Sequence, residues 1–261
     1  STSDASLAHW PQPAVHWTAV VLMLLGGMPF MLYVAFVRGN RQALFRDHQV
    51  RGFIGFLLLT WLVFGTWLWL NSDYAWLDAV RVVAVNVTSV VTTTGFALGD
   101  YTTWGSFAVL LFFYLTFVGG CSGSTSGGLK IFRFQVAYVL LKANLMQLVH
   151  PRAVIRQQYN NHNLDEEIVR SLITFSFFFT ITIGVLALAL TLVGLDWVTA
   201  LTGAATAVCN VGPGLGPIIG PAGNFASLPD SAKWLLSLGM LLGRLEILTV
   251  LVLVTRSFWK H

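Results

Sequence analysis

The 261 residues include 15 Lys and Arg and 11 Asp and Glu, so 10% are charged where a soluble domain carries roughly 25%. With 56% hydrophobic residues and a mean hydropathy of +0.72, too few polar groups remain to cover a water-soluble surface. That excludes an ordinary cytosolic enzyme and predicts an all-α integral membrane protein. Two cysteines, Cys121 and Cys209, both in apolar or Gly-rich stretches, exclude a disulfide scaffold and a Cys-based zinc site. The net charge of +4 falls in short basic blocks between apolar runs, a pattern of membrane topology rather than of nucleic-acid binding.

A helix needs about 20 mostly apolar residues to cross the hydrocarbon core, so the gaps between charges locate the spans. They predict membrane helices at about 15 to 37, 52 to 70, 104 to 128 (continuing into a basic helix) and 168 to 192. A fifth, at about 232 to 257, is interrupted by Arg244 and Glu246. No basic residue precedes the first apolar run, so a cleavable signal peptide is not expected. Two further apolar stretches begin as short helices and then break. Asp78 to Val91 runs into Thr92-Thr93-Thr94-Gly95-Phe96, and Asp196 to Val208 runs into Cys209-Asn210-Val211-Gly212-Pro213-Gly214. An opening Asp suits a helix N-terminus, and about a dozen residues cover half a bilayer, so both are expected to be re-entrant half-helices.

Twelve of the 15 basic residues fall on one side of this topology: Arg38 to Arg51, Lys130 to Arg170, and Arg256 with Lys260. The positive-inside rule makes that side cytoplasmic, so both half-helices enter from the outside. Asp4, Asp73, Asp78, Asp100, Asp196 and Asp230 make the outer face acidic. Trp10, Trp17, Trp104 and Trp234 are expected as interfacial anchors.

Residues 52 to 118 and 168 to 257 both read helix, half-helix, Gly-containing break, helix. The closing helices align through Leu24-Leu25-Gly26-Gly27, Phe117-Val118-Gly119-Gly120 and Leu241-Leu242-Gly243-Arg244. Three copies of that helix with two half-helices imply that the first copy is cut, so sequence upstream of Ser1 is expected. The expected organisation is the end of a second repeat with its loop (1–51), a third repeat with a basic connection (52–167) and a fourth repeat (168–261).

A helix, pore helix, filter, helix unit repeated in one orientation is the architecture of a pseudo-tetrameric cation channel. Four motifs, Val91-Thr-Thr-Thr-Gly-Phe96, Gly119 to Lys130, Cys209-Asn-Val-Gly-Pro-Gly214 and Gly243-Arg-Leu-Glu246, resemble those of the Trk/Ktr/HKT potassium transporter superfamily. Within it the sequence resembles the bacterial TrkH-type membrane subunit over nearly its whole length. The resemblance implies four repeats around one pore in the bacterial inner membrane, K+ as the ion passed with some Na+ permeation, and a homodimer. It also implies a cytoplasmic nucleotide-binding regulatory partner, for which Lys142 and Arg156 are candidate contacts. Membrane lipids account for the rest of the basic charge. The alternative, a sodium-coupled secondary symporter, also uses broken helices but predicts inverted repeats, whereas these are parallel. A serine-based intramembrane enzyme lacks a catalytic partner, since His150 and His162 lie in the basic connection.

On this reading Thr93, Thr94 and Gly95, with Asn210, Val211 and Gly212, offer backbone carbonyls that replace the water of a K+ ion. Gly119, Gly120, Cys121, Ser122, Gly123, Ser124, Thr125, Ser126, Gly127 and Gly128 lie where a helix would otherwise continue. Unwound backbone at membrane depth is tolerated only inside protein or beside water, and the resemblance makes this segment a gate beneath the filter. Arg244 is costly in lipid and must face a cavity or a partner. It aligns with Gly27 and Gly120, at gate level, as a positive barrier to cations or as a structural tie to a carbonyl or a neighbouring acid.

Overall fold

The computed structural model describes residues 6–152, 156–160, 162–245, 247–254 and 258–260. Asp4, Glu246 and Arg256, which the sequence reading used, lie outside the described residues. The longest helices are α4 (His48–Leu70) and α8 (Glu166–Leu192). Both are long and apolar enough to cross a membrane. Each packs along a short helix, α4 on α5 (Trp76–Val91) and α8 on α9 (Trp197–Cys209). At 1.5 Å per residue, α5 and α9 reach about 24 and 20 Å, short of a bilayer core. Both half-helices therefore stand where the charge gaps predicted them. They are the most buried elements: every residue from Val82 to Val91 is buried, as is Thr202 to Cys209. Small and β-branched side chains suit that position, because neighbouring helices crowd α5 and α9 from all sides.

The N-termini of the half-helices differ. Asp196 caps α9 by accepting the Thr199 N–H at 3.1 Å, and hydrogen bonding from Thr199 holds its carboxyl below the usual range. Asp78 instead lies inside the first turn of α5, which starts after Ala75, and pairs with Arg81 at 2.7 Å. A carboxylate inside the first turn still complements the helix dipole.

Three expected spans are broken. The stretch 15 to 37 is two helices, α1 (Pro13–Gly26) and α2 (Phe30–Val37), meeting at 92°, with the single turn α3 (Ala43–Arg46) before α4. Pro29 cannot donate a backbone hydrogen bond, and Gly26 and Gly27 allow the backbone to part there. The stretch 104 to 128 holds a helix only at α6 (Ser106–Phe117). Its unwound continuation closes through a short parallel pairing of β1 (Val118–Gly119) with β2 (Leu129–Lys130) before the basic helix α7 (Ile131–Val149) starts. The last stretch splits into α10 (Asp230–Arg244) and α11 (Ile247–Val254). In the connection at the basic end, Gln158–Tyr159 pairs antiparallel with His162–Asn163.

An aromatic cluster ties α4 to α6 at the acidic end. Tyr101 stacks on Phe112 at 3.9 Å, and Phe64 meets both Phe112 and Trp104 within 6 Å. Trp104 is thus packed into protein, while Trp10, Trp17 and Trp234 are exposed as interfacial anchors require. On the opposite side, α10 approaches α9 so closely that a β-carbon on Gly243 would lie 1.8 Å from the Val208 carbonyl oxygen.

Candidate ion filter and gate

The segments that follow α5 and α9 share one backbone pattern. Thr93 and Gly95 have positive φ of 55° and 81°, and Asn210 and Gly212 have 58° and 115°. Further along, Gly99 and Gly216 repeat the match at 78° and 94°. Thr94 and Val211 between the first pairs lack positive φ, so the sign alternates across 93–95 and 210–212. Alternating hand turns each peptide plane back on the one before it and can bring successive carbonyls to one side, the arrangement a dehydrated cation requires. The hydrogen bonds match as well. Thr94 N–H donates to the Ser89 carbonyl at 2.9 Å, and Val211 N–H to the Thr206 carbonyl at 3.0 Å.

The two segments, 117 residues apart, lie side by side. A β-carbon on Gly95 would come within 2.4 Å of the Val211 carbonyl oxygen, and one on Gly212 within 3.7 Å of the Gly95 α-carbon. Gly95, Ala97, Gly212 and Pro213 share a cavity of about 330 Å³ with Ser6 and the 219–225 loop. The predicted filter residues are therefore brought together through their backbones. Their side chains point to other work. Asn210 Nδ2 donates to the Met240 carbonyl on α10 at 3.2 Å, and the Thr92 and Thr94 hydroxyls bond each other at 2.8 Å.

The Gly-Ser segment lies directly against these two strands. Gly127 N–H donates to Thr93 Oγ1 at 2.8 Å. A β-carbon on Gly127 would stand 2.2 Å from the Cys209 carbonyl oxygen. Only glycine fits between the two segments at that point. Gly120 N–H donates to Ser126 Oγ at 2.9 Å, and Ser124 Oγ to the Cys121 carbonyl at 2.7 Å. The Lys130 ammonium donates to the Ser126 carbonyl. Gly123 and Gly128, at φ 76° and 65°, make the loop's sharp turns. Gly119 sits in the β1–β2 pairing at the neck.

Three elements hold this loop from outside it. The break between α1 and α2 frees the carbonyls of Gly26 and Gly27. Gly27 accepts Cys121 N–H at 2.9 Å, and Gly26 accepts Thr125 Oγ1 at 3.0 Å. At the start of α4, Asp47 caps the helix by accepting Gln49 and Val50 N–H at 2.9 and 3.0 Å. Gln49 Oε1 then accepts Ser122 N–H at 2.9 Å. From α10, Arg244 Nη1 donates to the Thr125 carbonyl at 2.6 Å. Arg244 thus stands at the level of the loop, as its alignment with Gly27 and Gly120 predicted, and is tied to a loop carbonyl.

Sequence reasoning did not single out Gln49, nor Asn86 and Thr202, two buried polar residues on the half-helices. The available signal for Asn86 was one amide within an otherwise apolar helical run. Gln49 gave none, because its partner is 73 residues away. Lys142 lines an apolar groove on α7 with Tyr138, Leu145 and Met146. Tyr159 donates its hydroxyl to Gln135 at 2.6 Å at the same end, and burial, with Asp47 nearby, raises its phenol above the ordinary range.

Known proteins are similar to this chain in sequence and fold. The family model for TrkH, described as a cation transport protein, matches residues 1–260. The Trk system potassium uptake protein TrkI of Halomonas elongata is 57% identical over 262 residues, covering all of this chain and 53% of the relative. TrkH of Escherichia coli is 33% identical over 263 residues, again covering the whole chain and 54% of the relative. The crystal structure of the potassium transporter TrkH from Vibrio parahaemolyticus superposes with a TM-score of 0.91 at 32% identity. That match covers all of this chain and 56% of that one. The chain spans about half the length of the curated relatives it matches. It is an integral membrane protein, and it belongs to the TrkH family, described as cation transport proteins.

Proposed function

We propose that these residues form half of a K+ uptake pathway in a protein about twice their length. In this reading the carbonyls of residues 93–95 and 210–212 are two adjacent walls of the filter, and upstream repeats of the same protein supply the other two. K+ sheds water at the filter mouth and is held by carbonyl oxygens, aided by the partial negative charge at the C-termini of α5 and α9. The loop 119–128 and Arg244 close the path on the basic, cytoplasmic side. The repeats are 52–167 and 168–261, with 1–51 completing an earlier one. The protein works as a homodimer in the bacterial inner membrane, with a cytoplasmic nucleotide-binding partner docking on the basic connection near Lys142 and Arg156.

The observation that carries this reading is the match in backbone conformation at 93/95 and 210/212, on segments that share one cavity. The test is ion preference. A side chain at Gly95 meets both positive φ and the Val211 carbonyl, costing about 1–2 kcal/mol from backbone hand alone. In the full-length protein, Gly95→Ser and Gly212→Ser should each lower the K+/Na+ permeability ratio by roughly tenfold. Ratios equal to the parent's in both variants would place ion selection elsewhere.

A further inference from the structure

Each half-helix carries a buried polar side chain that takes no part in helix capping or in the filter itself. Asn86 on α5 is 0% exposed and Thr202 on α9 is 7% exposed. Asn86 Oδ1 accepts Leu98 N–H at 2.9 Å, and its Nδ2 donates to the Leu98 carbonyl at 3.0 Å. The same Nδ2 also meets the Val82 carbonyl at 3.0 Å. Thr202 Oγ1 accepts Leu215 N–H at 3.1 Å, and its one proton faces the Val198 carbonyl at 2.8 Å and the Leu215 carbonyl at 3.2 Å. Leu98 and Leu215 are equivalent stations, each three residues beyond the glycine of its segment. The side chains that reach them are not equivalent. They differ in type, and they stand 116 rather than 117 positions apart.

Two different side chains from different helical positions thus accept the N–H of the same station while holding the carbonyl four residues back on their own helix. That convergence identifies the clamp, rather than either residue, as what the fold requires. The chain needs it because the segment turns away sharply at Gly99 and Gly216. Leu98 and Leu215 are buried and, among the described residues, have no strand or helix partner for their amides, and a buried amide left unmet is costly. The inner end of each segment is fixed by the last turn of the half-helix, through Ser89 and Thr206. A fixed outer end then sets the length over which the intervening carbonyls are spread.

We propose that Asn86 and Thr202 are positioning residues that set ion discrimination by fixing the carbonyl spacing between these two anchor points. This rests on the filter reading above, and the experiment separates the two. In the full-length protein, Thr202→Val keeps the shape and removes the hydroxyl, while Thr202→Ser keeps the hydroxyl. Losing one clamp of hydrogen-bond strength should lower the K+/Na+ permeability ratio about three- to tenfold in Thr202→Val, with Thr202→Ser within about twofold of the parent. Asn86→Leu, which removes three contacts, should lower the ratio further. A purely structural role would reduce the amount of folded protein and the flux of both ions together, leaving the ratio unchanged. Should Thr202→Val fail to fold, Thr202→Cys, close to Ser in size with a weak donor, is read in its place and should give an intermediate drop. Gly212→Ser is the control. A parent-like ratio in Thr202→Val (or Thr202→Cys) and Asn86→Leu, with a lowered ratio in Gly212→Ser, overturns the clamp and spares the filter. A parent-like ratio in Gly212→Ser as well overturns the filter reading itself.

Discussion

Arg244 ties to the Thr125 carbonyl, and in the proposed pathway the same guanidinium sets a positive charge beside the loop. A unit charge about 4 Å from a passing cation repels it by on the order of 4 kcal/mol at an effective dielectric of about 20. A hydrogen bond to a charged donor adds roughly 1.5–3 kcal/mol holding the loop in place. Removing the side chain removes both, so Arg244→Ala should raise K+ flux by tenfold or more without changing the K+/Na+ ratio. Arg244→Lys keeps the charge and loses the guanidinium fork, and should fall between them. Liposome flux of purified variants reads this directly. Flux in Arg244→Ala at or below the parent's would leave the guanidinium as a tie between α10 and the loop and nothing more.

In the proposed pathway the loop 119–128 provides the closure, and its restraint is external as much as internal. It hangs from Gly26 and Gly27 on one side, Gln49 on another and Arg244 on a third, with Gly127 lodged between Thr93 and the Cys209–Asn210 backbone. Deleting residues 123–126 removes the Thr125 contacts to Gly26 and Arg244 and shortens the reach of Gly127. K+ flux should then rise, and a shortened protein conducting no faster than its parent would make the loop a structural strap. The sequence announced this loop through five glycines at a depth where helix is the default. It announced α5 and α9 through apolar runs too short to span. What it did not announce is the 92° break between α1 and α2. Gly27-Met28-Pro29 is compatible with a kinked continuous helix. The choice is made by tertiary partners about a hundred residues later, Cys121 and Thr125, which take up the freed carbonyls. Gln49 and Asn86 were hidden for the same reason. A hydrogen bond to a distant backbone group leaves no periodicity behind, and only the amide of Asn86 in a Val-rich run departed from its surroundings.

For the molecule as a whole, orientation decides whether these parts can act in the order proposed. The long helices keep much apolar surface open, with Val63 63% and Leu188 67% exposed, as hydrocarbon or further membrane helices require. Rotation about the membrane normal is free of charge cost, but inversion is not, since Lys and Arg in short loops resist translocation. Arg38, Arg41, Arg46 and Arg51 flank the start of α4, so that end should be cytoplasmic and the α4–α5 turn should be outside. Both cysteines of this sequence are buried, so single introduced thiols can be read against the unsubstituted full-length protein labelled in parallel. With a membrane-impermeant maleimide, Tyr74→Cys should label in intact cells, while Asn40→Cys should label only in inverted vesicles. That outcome puts the C-termini of α5 and α9 deep in the membrane with their N-termini at the outer surface, so an entering cation meets the filter before the loop and Arg244. The reverse pattern would put the loop and Arg244 on the outer side of the filter, and an uptake pathway closed from the cytoplasm could not be built from this arrangement.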